Sequence, residues 1–159
     1  MQYITATQYL KESKKIQKEL KKWYFDNISC LDTVSKSICG GSFDILTLIH
    51  VDEKEYMYRN ILTGETEIIL TDNNNEIIPL FSETKLRKFI ENKINGKFEV
   101  LYVSKEFVEG EESYYRIEKS SYIYGAIENS IWKAETSNLF EAYWQVACQI
   151  IKQGDIKNV

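Results

Sequence analysis

The chain has 159 residues, of which 43% are hydrophobic and 28% charged, and its net charge is −4. This length and composition allow one hydrophobic core and argue against intrinsic disorder. The mild acidity disfavours a strongly basic nucleic-acid binder, and the absence of an apolar run of about 18 residues argues against a membrane span. We therefore expect a single domain over residues 1–159, located in the cytosol of a host cell.

The first segment has the pattern of one amphipathic helix. Thr5 followed by Gln8 has the spacing of a capping box, in which each side chain serves the other's backbone donor. Apolar residues then recur on one side and lysines on the other as far as Tyr24. This pattern predicts one helix from Thr5 to about Tyr24, followed by an irregular segment over 27–41.

Two further helices are predicted from caps and helical periodicity. Ser82 and Gly96 are suited to the start and end of a central helix. Asn138, with Glu141 three residues later, begins a C-terminal helix that ends near Gly154. This last helix is apolar around most of its circumference, so we expect it to pack deep in the fold.

Between the helices, β-branched and alternating segments predict two groups of three strands. The segments are 43–51, 56–62 and 65–70 in the first group, and 97–104, 113–118 and 121–127 in the second. Since strands and helices do not alternate one by one, the order predicts an α+β fold with antiparallel sheets and N-terminal, central and C-terminal helices.

Three stretches together are similar to small accessory proteins encoded by bacteriophages and prophages of low-GC Gram-positive bacteria. The stretches are residues 3–6, 79–91 and 139–148, about a sixth of the chain. The resemblance implies a phage accessory or counter-defence setting, such as an anti-CRISPR-like inhibitor. It implies no catalytic residue.

The sequence contains no assembled catalytic or metal-binding motif. Cys30, Cys39 and Cys148 lack the spacing of a zinc site, and we expect all three to be reduced thiols without metal. His50 is the only histidine, and we expect it to be a partly buried strand residue that is hydrogen-bonded to a neighbour. An enzyme that combines Cys30 or Cys39 with His50 stays an alternative, but we expect neither enzymatic activity nor a cofactor.

The lysines of the first helix form the candidate nucleic-acid site. Residues 1–24 carry six lysines and two glutamates, a net charge of +4, which leaves −8 for the remainder. We expect a solvated helix face, because the stripe has neither arginine nor aromatic stacking groups. The residues of this alternative site are Lys11, Lys14, Lys15, Lys18 and Lys22.

The surplus of tyrosines predicts a protein-binding surface, since tyrosine and arginine are enriched in interfaces. The chain has 11 tyrosines. Tyr114 and Arg116 are predicted to share a face of one strand, and Tyr122 and Tyr124 a face of the next. An acidic hairpin tip with Glu109, Glu111 and Glu112 could steer a basic partner, such as a nucleic-acid-handling host protein.

The sequence thus favours a non-enzymatic accessory domain that inhibits a host or phage protein by occupying its surface. The alternatives are a nucleic-acid-associated module that uses the lysine helix, and a toxin-neutralising immunity protein.

Overall fold

The structure, a computed structural model, describes residues 2–38, 42–71, 75–104, 113–123 and 126–154, without the side chains of 120–123 and 126–129. These residues form two compact units, Met1–Ser82 and Glu83–Val159. Each unit has an antiparallel sheet with helices, which confirms the predicted α+β fold, whereas the prediction of one domain stays a prediction. The elements are α1 (Ala6–Lys11), α2 (Lys14–Asp26), β1 (Thr33–Ser37), β2 (Phe43–Val51), β3 (Glu55–Asn60), β4 (Thr66–Leu70), β5 (Ile77–Pro79), α3 (Glu83–Ile94), β6 (Glu99–Val103), β7 (Tyr114–Ile123), β8 (Ala126–Ala134) and α4 (Leu139–Gln153).

The N-terminal lysine-rich segment forms two helices. The capping box of Thr5 and Gln8 is present as predicted, and it begins α1. The prediction of one continuous helix is wrong, because Glu12 has extended backbone geometry and ends α1. Ser13 then caps α2 by accepting a hydrogen bond from the backbone N–H of Ile16. Serine competes for such local bonds in a helix interior, which favours a new start here.

Gln17 fastens the corner between α1 and α2. Its side-chain amide donates to the carbonyl oxygens of Leu10 at 3.2 Å and Glu12 at 2.7 Å, which lie at the end of α1. The backbone carbonyl oxygen of Gln17 accepts a hydrogen bond from the Tyr9 hydroxyl at 2.5 Å. Burial raises the pKa of Tyr9, so this hydroxyl stays a donor at any physiological pH. The corner therefore has a fixed angle.

The five-stranded sheet of the first unit has the strand order β4-β3-β2-β1-β5. The predicted strands over 43–51, 56–62 and 65–70 correspond to β2, β3 and β4. The prediction that 27–41 is irregular is wrong for 33–37, because Val34 pairs between Leu46 of β2 and Pro79 of β5. Pro79 occupies an edge strand, the position in a sheet that tolerates a missing N–H donor.

The edge strands β4 and β5 of this sheet come close to each other, because Glu67 and Ile69 of β4 line one pocket with Ile77 of β5. The ammonium of Lys36 in β1 lies 2.5 Å from Oε2 of Glu67 in β4. Two strands separate β1 from β4, so a flat sheet would hold them roughly 14 Å apart. The side chains meet because the sheet curls towards the face that carries α2.

The core of the first unit lies between α2 and this concave face. The ring of Tyr24 packs edge-on against Phe81 at 5.1 Å between centroids, and its hydroxyl donates to the Thr33 carbonyl at 2.7 Å. Burial, followed by the charge of Asp32, raises the pKa of Tyr24, and both rings are fully buried. These contacts connect α2, β1 and the segment after β5.

The second unit has a three-stranded sheet in the order β6-β7-β8. The predicted strands over 113–118 and 121–127 are wrong in their bounds, since β7 runs without a break from Tyr114 to Ile123. The polar residues after 118 have the composition of a turn, but they pair with residues of β8. Lys119 lies opposite Ser130, and Ser120 lies opposite Asn129. Polar side chains that lie opposite each other on neighbouring strands stabilise the pairing. A polar segment can therefore form a strand when a partner strand lies beside it.

Helices α3 and α4 complete the second unit. Asn138 caps α4 by accepting from the backbone N–H of Glu141, as predicted. The predicted deep packing of this helix is confirmed, because its buried residues cover most of its circumference and leave one side with Glu141, Gln145 and Gln149. Tyr143 packs edge-on against Phe98, and the guanidinium of Arg87 in α3 lies 5.8 and 5.9 Å from the two ring centroids.

Candidate functional site

The two faces of the three-stranded sheet differ in burial. Ile117 is fully buried opposite Trp132, whose indole N–H donates to the Gln153 side chain of α4 at 2.9 Å. Side chains alternate along a strand, so Tyr114 and Arg116 point to the opposite face. The structure thus brings these two predicted residues together on the side of the sheet that faces away from α4.

Arg116 lies in the middle of this face. Its cross-strand neighbours are Leu101 in β6 and Lys133 in β8. Its Nε forms an ion pair with Oε1 of Glu118, two residues further along the same face. The Lys133 ammonium lies over the ring of Tyr114, 4.2 Å from the centroid, within the range of a cation–π interaction. Each of the two predicted side chains therefore has an oppositely polarised neighbour on the same face, Glu118 for Arg116 and Lys133 for the ring of Tyr114.

Apolar side chains flank these polar groups. Leu101 is 39% exposed and Ile131, opposite Glu118, is 51% exposed, while Tyr114 and Arg116 are half-buried. We call this face the outer sheet surface. Its residues are Leu101, Val103, Tyr114, Arg116, Glu118, Ile131 and Lys133.

Of the other residues predicted for this site, only the backbone of Tyr122 is described, and it does not lie beside Tyr114. Tyr122 was expected on a neighbouring strand, but its backbone belongs to β7, paired opposite Ile127. Eight residues of one strand separate it from Tyr114, which corresponds to about 27 Å. The side chain of Tyr122 and the whole of Tyr124 lie outside the described residues, as do Glu109, Glu111 and Glu112.

The lysines of α2 line a groove of about 480 Å³ in the first unit. Lys14, Lys18 and Lys21 form one wall of this groove, which we call the lysine groove. The residues Lys11, Lys15 and Lys22 of the predicted stripe are exposed but do not line it. The other lining residues are Tyr9, Leu10, Gln17, Ser37, Phe43, Asn75, Glu76, Ile77 and Ile78.

The ammonium groups of the groove differ in their partners. Lys21 donates to the Asn75 carbonyl at 3.2 Å, and partial burial lowers its pKa. Lys14 is 3.5 Å from the Gln17 side-chain oxygen. Lys18 has no ion-pair or hydrogen-bond partner in the part of the chain that the structure describes. Lys18 therefore contributes a positive charge to this wall that no described residue pairs with.

Cysteine and histidine do not meet in the described part of the chain. Cys30 is exposed, its sulfur lies 3.8 Å from the carbonyl oxygen of Ile49, and no hydrogen bond or ring contact joins it to His50. His50 is exposed in β2, so the expectation that it is partly buried is wrong. Cys148 is buried in α4, and Cys39 lies outside the described residues. Within those residues, no three His, Cys, Asp or Glu side chains form a group that could hold a metal ion.

The two described cysteines should differ sharply in reactivity. In the native protein without reductant, we expect a thiol reagent to label Cys30 rapidly and to label Cys148 only after denaturation, because burial blocks access. Labelling followed by peptide mass spectrometry measures both rates, and three thiols should react once the chain is unfolded. A protected disulfide or a stoichiometric zinc ion would contradict the expectation of reduced, metal-free cysteines.

Some residues of both sites depend on contacts that the sequence does not display. Leu101, Ile131 and Lys133 join the outer sheet surface through strand register, and Lys21 and Phe43 join the lysine groove through the packing of α2 on the sheet.

No family model, curated protein or solved structure matches the chain. Among the described residues, no helix has the length and apolar character needed to cross a membrane.

Proposed function

We propose that this chain is a non-enzymatic protein-binding domain whose partner contacts the outer sheet surface. The observation that supports this proposal is the shared face of Tyr114, Arg116, Leu101 and Ile131. Protein interfaces typically have aromatic and arginine anchors among apolar residues, with charged groups at the rim. This face has each of these components.

The contacts within the surface support binding at low entropic cost. The ion pair with Glu118 restrains Arg116, and the ammonium of Lys133 restrains the ring of Tyr114. Ordering a long side chain at an interface costs about 0.5–1.5 kcal/mol, and side chains already held in place avoid part of that cost. A partner can therefore use these side chains as rigid anchors.

We also propose where the protein acts and on which class of partner. The resemblance to phage accessory proteins favours an inhibitor that occupies the surface of a host defence protein in the host cytosol. The glutamates between β6 and β7 favour a basic partner, because opposite charges accelerate encounter. A toxin-neutralising immunity protein would use the same surface against a toxin.

Photo-crosslinking tests whether this surface contacts a protein. A photoreactive amino acid at position 131 should crosslink one protein in host cells, and mass spectrometry would identify it. Position 61 is the control, because Ile61 is exposed to a similar degree, 56% against 51%. Equal crosslinking from both positions would contradict a specific contact at the outer sheet surface.

With the partner purified, Arg116→Ala and Leu101→Ala should each weaken binding by about 1–3 kcal/mol, the range of interface anchors. Calorimetric titration measures the affinity, and thermal unfolding checks that each variant stays folded. Charge reversal of Lys14 and Lys18 together is the control and should change the affinity little. If the lysine changes abolish binding and the sheet changes do not, the outer sheet surface is not the binding site.

A further inference from the structure

The lysine groove has an excess of positive charge on one wall. Among the described residues that line it, the ammonium groups of Lys14, Lys18 and Lys21 stand against the carboxylate of Glu76. They follow one another along α2 over about 10 Å, at a rise of 1.5 Å per residue. A phosphate monoester, which carries about −2 near neutral pH, complements this net charge.

The size of the groove decides between classes of anionic ligand. Its volume of about 480 Å³ lies within the range of small-molecule sites. Two turns of an acidic partner helix would occupy roughly 800 Å³ at a diameter of about 10 Å, which is too much for this groove. The volume therefore favours a small ligand or one unit of an extended chain.

The lining also includes apolar side chains, one of which is a partly exposed aromatic ring. Phe43, at the start of β2, is half-buried and lines the groove together with Leu10, Ile77 and Ile78. Flat bases stack on such rings in proteins that bind single-stranded nucleic acids, where lysines track the phosphates. The fold thus supplies the aromatic group that the lysine stripe lacks in the sequence.

We propose that the lysine groove binds a nucleoside phosphate, with the phosphate on the wall of Lys14, Lys18 and Lys21 and the base against Phe43. The ligand is either a free nucleotide or one nucleotide of a single strand, since both present a base next to an anionic phosphate, a monoester of about −2 in the free nucleotide and a diester of −1 in the strand. This site lies in the first unit and does not depend on the outer sheet surface in the second.

Calorimetric titration with adenosine 5′-monophosphate tests the proposal against three partial ligands. Adenosine lacks the phosphate, inorganic phosphate lacks the base, and decyl phosphate has an aliphatic body in place of the base. The nucleotide should bind at least about ten-fold more tightly than any of the three, because only the nucleotide contacts both the lysine wall and the ring of Phe43. No binding at millimolar nucleotide, or equal binding of decyl phosphate, would overturn the proposal.

Matched variants locate the site. Lys18→Gln should weaken nucleotide binding by about ten-fold, as expected for a charge-assisted contact, whereas Lys22→Gln, on the same helix but outside the groove, should not. Phe43→Leu should weaken the nucleotide by at least about five-fold and leave decyl phosphate unchanged. Equal losses in Lys18→Gln and Lys22→Gln would show diffuse attraction to the helix and overturn the proposal.

Two further titrations separate the sources. An eight-residue oligothymidylate that binds at least about ten-fold more tightly than the mononucleotide would identify a single strand as the ligand, and the reverse order would identify a free nucleotide. Both results support the nucleoside phosphate site. An acidic peptide such as octaglutamate that binds more tightly than either would overturn it in favour of a protein ligand.

Discussion

Replacing Trp144 by alanine should lower the free energy of unfolding by about 3–5 kcal/mol, the usual cost of removing a large buried ring. Trp144 is only 4% exposed, and its neighbours on the same face of α4, Phe140, Ala147 and Cys148, are buried as well. Because these surroundings are themselves packed, they cannot collapse into the space that the indole leaves. The melting temperature should fall by roughly 6–20 °C in a chain of this size.

Gln145→Ala provides the control for this variant. Gln145 is the next residue of α4 and is only half-buried, so the change should alter stability by no more than about 0.5 kcal/mol. Chemical denaturation of both variants gives the free energies. If Trp144→Ala melts within a degree or two of the parent, α4 is not a central element of the second unit.

Local patterns in the sequence predicted the helices well because caps and periodicity act over a few residues. The capping box of Thr5 and Gln8 and the cap at Asn138 are both present. The break at Ser13 was missed, because the apolar stripe continues across it without a change of period. The break arises because Ser13 is more favourable as the cap of a new helix than in a helix interior. The spacing of the apolar residues contains no information on this preference.

Strands whose partners lie far along the chain were harder to predict. In β1, Val34 is the only apolar residue among five, so the segment has little strand pattern of its own. It becomes a central strand because β2 and β5 supply hydrogen-bond partners on both sides. The unbroken β7 has the same origin, since β8 provides polar partners for its polar middle.

The candidate sites likewise combine residues that local sequence patterns predict with residues that only the pairing and packing of distant segments bring together. Alternation alone placed Tyr114 and Arg116 on one face, and the structure has them so. Their neighbours Leu101 and Lys133 depend on the register of three strands, which the sequence does not specify. The lysine stripe was visible as a helix face, but its meeting with Phe43 depends on how α2 crosses the curled sheet.

Phe81→Ala should destabilise the first unit by a similar amount, about 3–5 kcal/mol. Phe81 is fully buried, with Tyr24 edge-on at 5.1 Å and Trp23 stacked at 6.4 Å. Its backbone carbonyl also accepts the N–H of Ile4, so the chain cannot easily shift to fill the cavity. Ile61→Ala is the control, because Ile61 is exposed and its truncation leaves no cavity.

This variant also tests the prediction that residues 1–159 form one domain. Hydrogen exchange reports unfolding separately at Leu20 in α2 and Ala147 in α4, both fully buried and in different units. If the chain unfolds as one cooperative domain, Phe81→Ala should lower the protection of both amides by the same free energy, since both open only by global unfolding. If only Leu20 loses protection while Ala147 keeps the parent value, the two units are separate domains, and the one-domain prediction is wrong.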